Sequence, residues 1–230
     1  MNIPPGEQNP SPPLIVAIDG PAASGKSSTA KWVARELGVR HVDSGSLYRA
    51  ATAARLRRGG ATATWTPQEV LAAADSVTLA PAETTFTPLV DGKLAEEELR
   101  SADVTAAVSL VARMGPVREW VNARVREAAA SHDVVVDGRD MGSVVFPEAQ
   151  VKIFLIADPW ERAKRRLLQR LGRLPNDDEI AAETDTLVRR DASDEAQTQR
   201  APDAVLIDTT YLTQPEQVER IVALARAARR

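Results

Sequence analysis

Gly20-Pro21-Ala22-Ala23-Ser24-Gly25-Lys26-Ser27 has the spacing Gly-x-x-x-x-Gly-Lys-Ser, with a second serine, Ser28, directly behind it. Its glycines let the backbone curl until successive N–H groups and a helix N-terminus point at one polyanion. Lys26 in such a loop reaches the β- and γ-phosphates of a nucleotide. The Ser27 hydroxyl completes a Mg²⁺ shell made otherwise of water and phosphate oxygens. The flanks fit the motif. Leu14-Ile15-Val16-Ala17-Ile18 ahead of it reads as a buried strand, and Ser28–Leu37 reads as a helix with Trp32, Val33 and Leu37 facing inward.

Three further stretches carry chemistry-bearing side chains. Asp43-Ser44-Gly45-Ser46-Leu47-Tyr48-Arg49 opens a helix. A hydroxyl, free helix-terminal amides and an arginine within the next turns make a second anion site, although a capped helix with a surface arginine has the same pattern. Asp137-Gly138-Arg139-Asp140-Met141-Gly142 follows the strand Val134–Val136, at the sheet edge where open α/β folds bind ligands. Arg139 and Asp140 project from that tight loop, and Asp137 can orient metal-bound water; a polar turn with an internal Arg–Asp pair is the plainer alternative. Arg162 to Arg170 is an arginine-dense helix, which is ordinarily a solvated face, with one or two arginines available to close over phosphates. Arg190 and Asp194 share a helix face at i, i+4, as a salt bridge also would. His41 and His132 are not spaced as a metal pair, and neither has a catalytic task.

The elements that must position these residues are legible as short apolar runs. Leu14–Ile18, Val134–Val136, Val151–Ile156 and Ala204–Ile207 read as buried parallel strands separated by helices, and Arg40–Val42 supplies a short fifth. That pattern predicts an α/β fold with a doubly wound, mostly parallel five-stranded sheet. Asp158-Pro159-Trp160-Glu161 predicts a helix start with N-cap, proline and capping-box Glu, and Asn176-Asp177-Asp178-Glu179 another. Between Thr64 and Arg118 the pattern changes to a small antiparallel unit, Ser76–Ala80 and Phe86–Val90, with a turn at Asp91-Gly92. A helix over Ser101–Arg113 follows, then a break at Gly115-Pro116 and a helix over Val117–Ala130. This stretch reads as an insertion into a nucleotide-binding core.

The 230 residues carry a formal net charge of −3, which argues against a general binder of nucleic-acid polymers. There is no cysteine, so disulfides and thiolate metal sites are excluded; a reducing cytoplasm is compatible with this. No apolar segment approaches the roughly 20 residues of a membrane span. Residues 1–13, rich in proline, have neither basic region nor apolar core, and read as a disordered leader rather than a signal peptide.

The motifs in this order resemble the bacterial cytidylate kinases, P-loop nucleoside monophosphate kinases, over roughly residues 14–228. The most telling stretches are Ile18-Asp19-Gly20 through Lys26, Asp43-Ser44-Gly45 with Tyr48-Arg49, and Asp137 through Pro147; Lys152–Leu155 and Glu161–Arg166 add to them. The resemblance implies that Gly20 through Ser28 cradle ATP, with Mg²⁺ near Ser27 and Asp137. Ser44, Arg49 and Arg139 would grip the α-phosphate of CMP or dCMP. Ser109, Arg118 and Asp140 would lie around the cytosine, and Arg190 with Asp194 around the ribose. Residues 64–118 would be the acceptor-side insertion, and 14–63 with 119–230 the kinase core. A mobile lid over ATP, about 162–190, would begin with Arg162 to Arg173. Lys26, Arg49, Arg139, Arg162 and Arg166 would carry catalysis, in a cytoplasmic monomer. One departure stands out: Gln197 occupies the position of an arginine that helps hold the base in relatives, and Arg200 is the available substitute from a shifted position.

Two other activities fit parts of the pattern. Another P-loop small-molecule kinase, of UMP/CMP or shikimate type, shares the loop, but the long insertion with Ser109 and Arg118 speaks for a nucleotide acceptor. A GTP-binding switch would need Asp-x-x-Gly and Asn-Lys-x-Asp, and neither string occurs.

Overall fold

A computed structural model describes residues 12–229, so residues 1–11 of the leader lie outside it. In chain order the first elements are β1 (Ile15–Asp19), α1 (Lys26–Leu37), β2 (Arg40–Asp43), α2 (Ser44–Arg57) and α3 (Pro67–Ala74). Next come β3 (Val77–Pro81), β4 (Phe86–Val90), β5 (Lys93–Leu94), α4 (Glu96–Leu99), α5 (Ala102–Val111) and α6 (Gly115–Ala129). β6 (Val134–Gly138), β7 (Val151–Ile156), α7 (Pro159–Leu171), α8 (Asp177–Asp194), β8 (Val205–Asp208) and α9 (Gln214–Ala228) complete the fold.

The apolar runs become a parallel five-stranded sheet in the order β2-β6-β1-β7-β8. Val16, Ala17 and Ile18 are wholly buried, as are Val134, Val135 and Val136, because helices cover both faces of the central strands. One face packs on α1 and α9 through Val33, Ile153, Ile221 and Val222. The other packs on α2 and α6, and its cluster runs without interruption into residues 64–118 through Val77, Phe86, Val104 and Val108. Residues 64–118 therefore share a core with the sheet. β8 departs from the buried-strand expectation: Val205 and Leu206 are exposed and only Ile207 is buried, since β8 is the sheet's edge and pairs on one side alone.

Turn and cap chemistry corrects two local expectations, while the turn at Asp91-Gly92 and the cap at Asn176 stand as expected. Asp91-Gly92, at φ 53° and 71°, closes β4 onto the unexpected two-residue β5, as two consecutive positive φ values do in tight hairpins. The β3–β4 pair is joined through residues 82–85. Gly115-Pro116 opens α6 rather than interrupting the chain, because proline in a first turn loses no needed hydrogen bond. Asn176 and Glu179 form the full reciprocal capping box on α8. At α7 the Asp158 carboxylate takes the N–H groups of Trp160 and Glu161, while the Asp158 N–H goes to Thr210 Oγ1 at 3.0 Å instead of to Glu161.

Where β1 meets its loop, Gly20 sits at φ +148°, and a Cβ there would lie 2.2 Å from the Leu155 carbonyl oxygen. Gly38, which ends α1 at φ +66°, faces open space. Gly20→Ala is therefore expected to cost on the order of 3 kcal/mol or more in urea unfolding. Gly38→Ala should cost about 1 kcal/mol. Equal losses would contradict the packing described at the β1–β7 junction.

Candidate active site

β1 delivers the glycine-rich loop to the carboxyl edge of the sheet. Gly25 adopts φ +89° at the N-cap of α1 and no side chain caps that helix, so the amides of its first turn remain available to an anion. Lys26 folds back and donates to the Pro21 carbonyl at 2.6 Å. Burial, then repulsion from Arg139, pushes the Lys26 ammonium down to about 7, against the pull of Asp137, Asp19 and Asp43.

Near the end of β6, beside it, stands Asp137, which is 2% exposed. One carboxylate oxygen accepts from Ser27 Oγ at 2.6 Å and the other faces His41 Nε2 at 2.6 Å. Burial opposes charging of His41, but the hydrogen bond and charge of Asp137, aided by Asp43, outweigh it and raise its pKa. His41 thus orients Asp137, a role its sequence position did not disclose, because the two meet only through β2–β6 pairing. Asp43 caps α2 by accepting from Ser46 N at 3.1 Å; burial and then Asp137 push its carboxyl up to about 6. The helix is capped as the plainer reading of residues 43–49 expects, and Ser44 and Arg49 on it line the cavity described below. The Ser44 hydroxyl donates to the Asp137 carbonyl at 2.8 Å. Arg49 is anchored on the insertion by the Leu99 carbonyl at 3.0 Å and Thr105 Oγ1 at 3.1 Å.

Arg139 reaches across to Asp194 at 2.8 Å and to the Gly20 carbonyl at 3.3 Å. Arg190 stands 3.7 Å from the same Asp194. Asp140 pairs with Arg118, whose other arm holds the Ala112 carbonyl. α7 and α8 form a hairpin whose apolar seam, Ala163, Leu167, Ile180 and Leu187, seats on Ala22 of the loop. Arg113 behind α5 spans to Ser193 at 2.9 Å, joining the insertion to α8.

These groups enclose a cavity of about 740 Å³. Ala22, Ala23, Gly25, Lys26, Ser27 and Ser28 line it from the loop, and Ser44, Arg49, Ser109, Arg118, Arg139, Asp140, Arg190 and Asp194 from the other sides. Arg166 borders it as well, 3.1 Å from Glu183. Gly20, Pro21, Ser24 and Arg162 do not border it. Arg162 is buried, donates to the Ala22 carbonyl at 2.8 Å and pairs with Asp191 at 2.6 Å. It holds the phosphate loop from behind, which corrects its expected place over the phosphates. Arg200 is exposed and away from the cavity, so it does not replace the missing arginine. Gln197 itself lines the wall, and its Oε1 is buried without a partner. Gln214 and Gln217, on α9, also line the wall and bond Thr29 at 2.9 and 3.0 Å; nothing in their local sequence marks them.

The family profile described as cytidylate kinase matches residues 16–227. The chain belongs to the cytidylate kinase family. A cytidylate kinase of Geobacillus kaustophilus is 43% identical over 92% of this chain and 96% of its own length. That of Chlorobaculum tepidum is 40% identical over 92% of both. A shikimate kinase structure from Bacteroides thetaiotaomicron aligns over 93% of this chain and 97% of that one, at 15% identity and a TM-score of 0.48.

Two outcomes test the geometry. At pH 8.5 Lys26 is largely neutral in the free protein, and a bound polyphosphate favours its charged form. ADP binding should then take up about one proton, and at pH 6, where Lys26 is already charged, none through this group. Calorimetry in buffers of different ionisation heat reads this; identical heats at pH 8.5 would contradict it. Arg162→Leu should destabilise the fold by about 3 kcal/mol by leaving Asp191 unpaired. Arg166→Leu should instead lower turnover with little change in thermal stability.

Proposed function

We propose that this enzyme transfers the γ-phosphoryl group of ATP to CMP or dCMP. The observation that carries the reading is the convergence of two cationic cradles on one cavity. Lys26 and the first turn of α1 line it, and so do Arg49 and Arg139 with Ser44. The acceptor oxygen belongs to a phosphate whose second pKa is about 6, so near neutral pH it needs no general base. Catalysis then rests on alignment and charge neutralisation. Lys26 and Arg166 neutralise the donor phosphates, and Arg49 and Arg139 screen the approach of the second anion. Ser109, Arg118 and Asp140, with Gln197, face the base, and Arg190 and Asp194 the ribose.

Mg²⁺ fits the site. Ser27 and Asp137 present hard oxygens 2.6 Å apart at the foot of the phosphate loop, and among the described residues no cluster of three ligating side chains competes for a cation. That suits an ion taking most of its shell from water and phosphate. Ser27 and Asp137 would hold it, and when bound it would neutralise charge on the donor phosphates. Closure of the α7–α8 hairpin over the cavity would exclude water as a competing acceptor. No described helix is long and apolar enough to cross a membrane. The reading places the enzyme in pyrimidine nucleotide metabolism, in the cytoplasm and as a monomer.

With ATP as donor, transfer to CMP or dCMP should exceed transfer to UMP and AMP by about tenfold or more; equal rates with AMP would defeat the assignment. Arg139→Ala should lower turnover on CMP by about 10²–10³-fold in a protein whose circular dichroism is unchanged.

A further inference from the structure

Asp19 is the last residue of β1, 2% exposed, and it precedes the phosphate loop directly. Its carboxylate is spent on a segment more than a hundred residues away. Oδ1 accepts from the Met141 amide at 2.8 Å and Oδ2 from the Gly142 amide at 2.7 Å. Those two amides open the short π-helical turn Met141–Val145, closed by Phe146 N to the Met141 carbonyl at 2.7 Å. The first N–H groups of a helical turn have no partner within it, and a buried carboxylate accepting both forms two charge-assisted bonds. The segment has no slack on either side. A Cβ on Gly142 would lie 3.2 Å from Lys152 Cγ and 3.4 Å from Asp19 Oδ2. One on Gly138 would lie 2.7 Å from Ser44 Oγ and 2.8 Å from Met141 Cγ. Between those glycines lie Arg139, Asp140 and Met141, and the first two line the cavity.

We propose that Asp19 is a positioning residue for transfer. By clamping the amides of Met141 and Gly142, it holds Arg139 and Asp140 at a fixed distance from the phosphate loop. Asp19 touches neither nucleotide. Its effect passes through the 139–142 loop, with the Arg139-to-Gly20 contact as the second link between the two cradles. The inference rests on Arg139 and Asp140 facing the acceptor.

Asp19→Asn tests it. The amide keeps the side chain's size and one acceptor oxygen, but turns an N–H toward a backbone N–H. The expected result is a kcat lowered about tenfold or more and a KM for CMP raised about tenfold, with the Kd for ADP, read by titration calorimetry, within about threefold of wild type. A merely structural carboxylate would weaken ADP and CMP together in step with lost thermal stability, and that pattern overturns the proposal. So does a folded variant with wild-type kcat and KM. Hydrogen exchange of the wild-type protein provides an arm independent of any variant. Met141 and Gly142 amides protected as strongly as those of Val134–Val136 support the clamp, and exchange at open-loop rates overturns it. Transfer to CMP by the wild-type enzyme tests the functional reading separately from the variant-to-wild-type ratio.

Discussion

Positive charge without enough negative charge to answer it is the constraint on which this structure turns. Lys26, Arg49, Arg118, Arg139, Arg166 and Arg190 all border one cavity. The carboxylates among them are already committed: Asp137 to Ser27 and His41, Asp140 to Arg118, and Asp194 to Arg139. Burial, then mutual repulsion, pushes Lys26 down to about 7. Arg139 and Arg166 are pushed down by burial, with Asp194 and Glu183 pulling the other way, and Arg49 is depressed by burial and by Arg190. Perturbation of this kind gathers where a fold is organised for a ligand more than for its own stability. A bound polyphosphate would supply the missing counter-charge.

The sheet makes this arrangement possible at modest cost. Parallel pairing of β2, β6 and β1 ends three strands at one edge, where Asp43 stands opposite Asp137 and Asp19, one residue further along, stands opposite Gly138. Each of those carboxylates organises a neighbouring backbone or hydroxyl. Asp43 caps α2, Asp137 orients Ser27, and Asp19 holds the 139–142 loop. The cationic side chains then project from elements fixed by those carboxylates. Arg162 adds a rear support, tying the α7–α8 hairpin to the phosphate loop through Ala22 and Asp191.

Most of the frame was legible in the sequence, because it is written in short-range signals. The buried strands are unbroken apolar runs, the phosphate loop is an unambiguous spacing, and Asn176 with Glu179 is a three-residue cap. The errors fall where a long-range partner decides. β8 has the composition of a buried strand but lies at the sheet's edge. Arg162 and Arg166 are a single turn apart, yet one is buried under the loop and the other borders the cavity. His41 looked idle until β2–β6 pairing set it against Asp137, and Gln214 and Gln217 reach the site only because α9 packs on α1. Gln197 is visible as a departure, but only the structure shows that its oxygen is buried and unpartnered while Arg200 is exposed and outside the cavity lining.

The central claim is that two anions are held head to head over one loop. Equilibrium binding of a single compound carrying adenosine and cytidine at the two ends of a polyphosphate bridge tests it most directly. The account predicts a Kd about a hundredfold or more below that of either ADP or CMP alone, as joining two ligands for adjacent sites requires. A Kd no tighter than the better of the two separate nucleotides would contradict it.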